Sequence, residues 1–461
     1  MVKKFKGKRV AILGLSVEGI DSVKFFADQE AAILCCDMRS RQKMGETYSQ
    51  LARYNVKFQL GSNYLNNLAD CDIIVRTPGM NLATAQLVKL RQQGREITSL
   101  TKLFFELCPC PIIGVTGTKG KGTTSTLIYH MLKAQGRRAW LGGNVGTPLL
   151  SRVAGFKKTD WVVLELSSFQ LEDLTRSPQI AVILKITQDH LANFDRLSTN
   201  YHPTRSDYVE AKRSVVSYQK ASDWAIVNAD DETSSFLGQQ ALAKVLRFSR
   251  IQDTADAYVR NHTVYLKAGA KTEKIVSSDE IMLRGDHNLE NIAAACLASL
   301  AAGVSAASMK RAAREFRGLE HRLEFVRTVN GVSFYNDSFS TVPETAVAAI
   351  ESFSEPIILI AGGSEKKSDF TVLGEVIAKS TVKVLIAIGQ MTDRIEAAAR
   401  GAEFKGELVT GYTSMPEIIS AAVTRAVPGD VVLLSPAAAS FDMFANYKDR
   451  GQQFKHEVLA L

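Results

Sequence analysis

Ile112-Ile113-Gly114-Val115-Thr116-Gly117-Thr118-Lys119-Gly120-Lys121-Gly122-Thr123-Thr124 is the stretch whose reading decides the fold. An apolar strand-like run enters a glycine-rich turn, and helix-forming residues follow to about 134. Glycines let backbone N–H groups turn inward around phosphate oxygens, and the helix N-terminus adds its partial positive charge. Lys121 would reach terminal phosphates, and a hydroxyl would hold Mg²⁺. Two positions depart from the general phosphate-loop pattern. Val115 stands at its first glycine position, and Gly122 follows the lysine where Ser or Thr is usual. The competing reading is an ordinary glycine-rich turn, and the strand–loop–helix context argues against it.

Outward from this loop, short β-branched runs alternate with helix-length segments. They lie at 9–13, 33–36, 72–75, 112–116, 162–166, 181–186, 224–227, 356–360, 382–388 and 430–434. Short β-branched runs that read as buried on both sides predict parallel strands covered by helices, an α/β architecture. A small β-rich excursion is expected at 245–285. Boundaries near 100–111 and 317–320 predict three domains. The first, 1–105, is Rossmann-like. The second, 106–318, is a P-loop-type ATPase domain with the β excursion, and the third, 319–461, is again Rossmann-like α/β.

The 461 residues are 46% hydrophobic and 23% charged, a globular composition with apolar mass for several cores. No run of about 18 uncharged apolar residues exists, so no membrane span is expected. The apolar run after the basic N-terminus is too short for a signal peptide. The net charge of +8 is scattered, with no basic run interleaved with aromatics. It suits anionic phosphorylated substrates better than nucleic acid. Cys35, Cys36, Cys71, Cys108, Cys110 and Cys296 form no CxxC pair. Free thiols in a reducing cytoplasm are expected.

Further motifs run along the chain. They are Gly142-Gly143-Asn144-Val145-Gly146, Leu164-Glu165-Leu166-Ser167-Ser168-Phe169-Gln170-Leu171, Thr187-Gln188-Asp189-His190-Leu191 and Tyr208-Val209-Glu210-Ala211-Lys212. Then come His287-Asn288-Leu289-Glu290-Asn291, His321-Arg322-Leu323-Glu324, Asn336-Asp337-Ser338 and Ser435-Pro436-Ala437-Ala438-Ala439-Ser440-Phe441-Asp442. Together with the loop they resemble, in order, the motifs of the Mur ligase family. The resemblance is strongest to its glutamate-adding branch. The GKG step at 120–122 is similar to the related folylpolyglutamate synthase, where the magnesium hydroxyl comes two residues after the lysine, here Thr123. That enzyme, however, has no domain of about one hundred residues ahead of the loop.

The resemblance implies an ATP-dependent amide ligase of peptidoglycan synthesis, working in the cytoplasm as a monomer through an acyl-phosphate. Its substrates would be ATP, UDP-N-acetylmuramoyl-L-alanine and glutamate. Gly117, Thr118, Lys119, Gly120, Lys121, Gly122 and Thr123 would cradle ATP. Thr123, Glu165, His190 and Lys212 would serve Mg²⁺, in two sites. Lys212 would do so as a carbamate, since an ammonium repels the metal; read on its own, it is a solvated helix lysine. His190 alone reads as a core or capping histidine. Asn144 and Ser167 would serve the reacting carboxylate, although Ser167 also reads as a turn residue. Asn288 and Asn291 would hold adenine, Asp337 the ribose and Arg322 the phosphates. Arg322 also reads as a salt-bridging hinge residue with Glu320 or Glu324. Thr341, Lys366, Ser440 and Tyr447 would hold the amino acid, and Phe339 replaces the family's lysine. Ser16 and Arg39 would meet the uridine diphosphate; a solvated loop charge is the other reading of Arg39. Gly14-Leu15-Ser16-Val17-Glu18-Gly19 is not G-x-G-x-x-G, which argues against NAD. Two alternatives remain: a folylpolyglutamate synthase-like or other Mur-type ligase, including one for L-glutamate, and a non-catalytic relative that binds UDP-sugar peptides.

Overall fold

The computed structural model describes residues 3–144, 146–188, 191, 200–269, 271–364 and 368–461. His190 and Lys366 lie outside them. The described residues form three sheets in an α/β fold. They divide into two compact units, 1–275 with 290–313, and 276–289 with 314–461.

The first unit holds two sheets. One comprises β1 (Arg9–Leu13), β2 (Ala32–Asp37), β3 (Val56–Leu60), β4 (Ile73–Arg76) and β5 (Glu96–Ser99), in the order β3-β2-β1-β4-β5, all parallel. The order reverses at β1, which opens a crevice beyond the strand ends. The other comprises β6 (Ile112–Thr116), β7 (Ala139–Gly143), β8 (Trp161–Glu165), β9 (Ile180–Ile183) and β10 (Trp224–Asn228), then β11 (Lys244–Ser249), β12 (Ala257–Arg260), β13 (Thr263–Ala268) and β14 (Lys271–Ser277). Its order is β14-β13-β12-β11-β10-β9-β6-β8-β7. β6 is wholly buried between β8 and β9, because every residue from Ile112 to Thr116 is covered on both faces.

The second unit is built on β15 (Glu324–Val329), β16 (Val332–Asn336), β17 (Ile357–Gly362), β18 (Val382–Ile388), β19 (Glu407–Val409) and β20 (Val431–Leu434). The order is β15-β16-β20-β17-β18-β19. β15 and β16 form an antiparallel hairpin, and its turn residues Asn330 and Gly331 both have positive φ, as a tight hairpin demands.

Three expectations need correction. The run at 181–186 is strand only to Ile183, because the chain then bends over the phosphate loop, where the Lys185 carbonyl accepts from the Thr118 N–H at 2.9 Å. The β excursion begins later than 245, since β11 pairs in parallel with β10 as part of the main sheet, and antiparallel pairing starts only at β12–β13. The sheets are also not purely parallel, as β15 and β13 show.

Candidate active site

The phosphate loop leaves β6 and enters the helix Lys121–Ala134. Its glycines are dictated by space. Gly117 has φ 145°, and a Cβ there would stand 2.7 Å from that of Leu184. Gly120, at the helix N-cap with φ 86°, would drive a Cβ to 2.3 Å from Oδ1 of Asn291. Thr118 is locked by its hydroxyl, which lies 3.0 Å from the Tyr208 hydroxyl and accepts from the Thr187 N–H at 2.9 Å. The Lys121 ammonium donates to the carbonyls of Gly117 and Thr118, at 3.1 and 2.8 Å. Lys119 is exposed, Gly122 buried and Thr123 partly buried.

Lys212 comes from the helix Arg205–Ser217, which Thr204 opens with a capping box to Asp207. Tyr208 and Lys212, four residues apart, share the buried face, with the ammonium 4.6 Å from the ring centroid. Lys212 is 1% exposed and donates to the Thr116 hydroxyl and the Gly117 carbonyl. The solvated-lysine reading is therefore wrong: this lysine is buried against the loop.

Glu165 ends β8, directly opposite Val115 of β6. It is buried, and Asn144 Nδ2 donates to its Oε1 at 2.8 Å. Gly143 makes that approach possible, since a Cβ would lie 2.1 Å from the Glu165 carbonyl. Ser167 caps the short helix Ser168–Leu171, with its hydroxyl accepting from the Gln170 N–H. A carboxylate beside the loop, with the loop's hydroxyls, makes a hard-oxygen donor set of the kind magnesium takes. Among the described residues no three His, Cys, Asp or Glu groups cluster at metal spacing.

Asn288 and Asn291 are buried three residues apart on the helix Asp286–Ala301. Asn291 accepts from the Thr124 hydroxyl at 3.3 Å, and Asn288 donates to the Arg284 carbonyl at 2.6 Å.

A separate cleft of about 430 Å³ opens beyond the first sheet, lined by Leu15, Ser16, Met38, Arg39, Tyr64 and Thr77 among others. Arg39 grips Asp37 through Nε and Nη2, at 2.9 and 2.8 Å, and holds that carboxyl below its ordinary value against the opposing effect of burial. Arg39 is thus tied to Asp37 although its side chain stays 38% exposed, and Ser16 lies beside it in the same cleft.

In the second unit, Asp337 is 8% exposed and accepts from the Ser435 hydroxyl at 2.8 Å and the Leu323 N–H at 3.1 Å. Burial pushes its carboxyl up to about 7. Arg322 is exposed and stacks on Phe339. The carboxylates expected to pair with it, Glu320 and Glu324, pair with Lys455 instead. Tyr447 opens the last helix, Thr341 is partly buried and Ser440 is buried.

The sequence reading missed three groups. Arg450, fully buried, donates to the carbonyls of Ser338, Ala438, Ala439 and Gly362, and so ties together the loops after β16, β17 and β20. Its signal was a charge on the buried face that Phe454 and Val458 continue at spacings of four. Arg76, also fully buried, joins the first sheet to Asp173 and the Phe169 carbonyl. Glu18 accepts from Gln170 Nε2 at 2.6 Å, and Gln170 Oε1 accepts from the Ser167 N–H at 2.9 Å. The other Glu18 oxygen is buried without a hydrogen-bond partner and borders a cavity of about 20 Å³. Burial pushes that carboxyl up to about 7.

Sequence comparisons agree with this arrangement. Profiles described as the Mur ligase MurD-like N-terminal domain, the Mur ligase middle domain and the Mur ligase glutamate ligase domain match residues 8–99, 115–299 and 321–438. A UDP-N-acetylmuramoylalanine–D-glutamate ligase of Acetivibrio thermocellus is 40% identical, over 99% of this chain and 97% of its own. A protein of the same name from Symbiobacterium thermophilum is 39% identical, over 98% of each. Among solved structures, the UDP-N-acetylmuramate-alanine ligase of Thermotoga maritima superposes with a TM-score of 0.61 at 16% identity, covering 98% of this chain and 99% of its own. The MurF ligase of the same organism, solved with ADP, gives 0.54 at 18% identity, over 100% and 97%. Both likenesses are of fold. With three domain profiles in order and relatives 39–40% identical along nearly its whole length, the chain belongs to the Mur ligase family.

Proposed function

We propose that this protein joins D-glutamate to UDP-N-acetylmuramoyl-L-alanine, using ATP, in peptidoglycan synthesis. The observation that carries the reading is 40% identity over 99% of the chain to an enzyme of that name. The loop geometry supports the ATP half. Positive-φ glycines at 117 and 120 open a helix whose first residue is Lys121.

A carboxylate is a poor acyl donor because its leaving group is poor. Transfer of the γ-phosphoryl group to the alanyl carboxylate gives an acyl-phosphate and ADP. The glutamate amine then attacks the carbonyl, and phosphate leaves. The protein's task is to neutralise charge and exclude water. Gly117–Gly122 N–H groups, Lys121 and Arg322 take the phosphates, Asn288 and Asn291 the adenine, and Asp337 the ribose. Thr123, Glu165, His190 and a carbamylated Lys212 would hold Mg²⁺, in two sites, and bound metal would offset the phosphoryl charge. Asn144 and Ser167 orient the carboxylate. Ser16 and Arg39 take the uridine diphosphate in the 430 Å³ cleft. Thr341, Lys366, Ser440 and Tyr447 take glutamate.

The domains are 1–105, 106–318 and 319–461, with Rossmann-like first and third domains and a P-loop-type second. The protein works as a monomer in the cytoplasm. Among the described residues no helix is long and apolar enough to cross a membrane.

The deciding experiment is ADP release by purified protein with UDP-N-acetylmuramoyl-L-alanine and each glutamate enantiomer. Release with D-glutamate alone, lost in Lys121→Ala, is expected. Release with L-glutamate alone would replace the substrate, and no release with either would defeat the reading.

A further inference from the structure

We infer that Phe339 is a positioning residue whose ring presents the guanidinium of Arg322 to an anionic ligand and braces Tyr447. This rests on the reading of Arg322 as a phosphate-binding group of the ligase.

Arg322 lies between His321 and Leu323, whose φ values are 64° and 43°. Side chains other than glycine seldom adopt such backbone, so the turn must be held from outside. The turn after β16 holds it. The Phe339 N–H donates to the His321 carbonyl at 2.9 Å. The Leu323 N–H donates to Asp337 Oδ1 at 3.1 Å, and Asn336 Nδ2 lies 3.0 Å from His321 Nδ1. These bonds fix where the Arg322 side chain starts. They do not fix where its long flexible end goes.

The ring of Phe339 does. The guanidinium carbon lies 3.9 Å from the ring centroid, well inside cation–π range. Phe339 meets Tyr447 edge-on, with centroids 5.1 Å apart and planes at 87°, and Tyr447 meets His321 at 6.0 Å and 88°. Imidazole, phenol, phenyl ring and guanidinium thus form one continuous run, each fixing the next. Phe339 is 38% exposed and Arg322 is exposed, so stacking leaves the guanidinium's N–H fork open to a ligand. That planar fork suits the oxygens of a polyphosphate. A lysine at 339 would put a second cation beside the first. Phenylalanine instead leaves one cation and restricts its arc.

The test is steady-state kinetics on folded full-length variants, with KM measured for each of the three substrates. Arg322→Ala should raise KM for ATP about tenfold or more, as loss of a charge-assisted contact does. Phe339→Leu should raise it about three- to five-fold, the scale of an exposed cation–π contact, and leave KM for the UDP-linked substrate unchanged. Phe339→Tyr keeps the ring and should restore wild-type KM. Added to Arg322→Ala, Phe339→Leu should do nothing more to KM for ATP. Wild-type KM in Phe339→Leu, failure of Tyr to restore it, or an equal effect with and without Arg322 would each overturn the positioning role. If Arg322→Ala itself left KM for ATP unchanged, the phosphate reading of Arg322 would fall first.

Discussion

The side-chain nitrogen of Lys212 donates to the carbonyl of Gly117 at 3.0 Å, so a lysine from a distant helix is part of the phosphate loop's own wall. An ammonium so placed meets phosphates favourably and a metal unfavourably. A carbamate reverses both preferences. Lys212→Ala should lose ligation in either case, but the cause can be read from rescue. Acetate should restore part of the ADP release if the native group is a carbamate, and methylamine if it is an ammonium, at matched ionic strength because salt alone alters screening. Activity of the variant equal to wild type would remove Lys212 from the site.

Gly120→Ala tests the loop by shape alone. The added methyl meets left-handed backbone and the Asn291 amide, which is buried and cannot retreat freely. Backbone strain of about 1–2 kcal/mol is expected, together with weaker ATP binding. Calorimetric titration with ATP should show at least tenfold lower affinity while UDP binding is kept. Unchanged ATP affinity would mean that the loop tolerates side chains where a phosphate cradle cannot.

Glu18 makes stability depend on pH. Its carboxyl is raised in the fold from an ordinary 4.5 to about 7, so the fold favours the protonated form. The stability it contributes is complete below about 4.5 and is lost as pH rises through about 7. Glu18→Gln cannot ionise, so it should be more stable than wild type at pH 8, by roughly 3 kcal/mol, and close to it at pH 4.5. Urea unfolding at the two pH values checks this. A difference that grows as pH falls would contradict it.

Arg450→Met keeps the bulk and removes the donors. Four loop carbonyls then lose their charged partner in a buried place, and a destabilisation of about 3 kcal/mol or more is expected. Because Ala439 adjoins Ser440 and the Ser338 hydroxyl donates to the Tyr447 carbonyl, KM for glutamate should rise as well. Denaturant midpoints and KM values measured together would test both effects.

The sequence was most legible where one cause dominates. Mostly apolar runs such as 9–13, 112–116 and 382–388 became strands with the expected limits, because nearly all their residues are buried under helices. The strands Val56–Leu60 and Glu96–Ser99 were overlooked, since their half-exposed residues carry no such pattern. The loop, Glu165, Asn144 and Lys212 were identified from motifs, and the fold brings them to neighbouring strands and a packed helix. What motifs could not reveal was the support: Tyr208 under Thr118, Gln170 between Glu18 and Ser167, and Arg450 beneath its loops. Such contacts join residues far apart in the chain, and each side chain alone reads as an ordinary polar residue.

The helix Asp286–Ala301 begins in one compact unit and ends in the other, so the second unit is not a continuous piece of chain. Arg284, in the stretch 276–289, pairs with Glu355 and donates to the Tyr335 hydroxyl. A fragment starting at residue 319 would therefore be born without part of its own framework. Ribosomal synthesis meets the same condition in reverse: the first unit needs residues 290–313, which emerge only after 276–289 has been made for a partner not yet synthesised. Dissection by simple truncation should accordingly yield poorly folded halves, whereas a fragment that carries 276–461 retains every segment that its sheet requires.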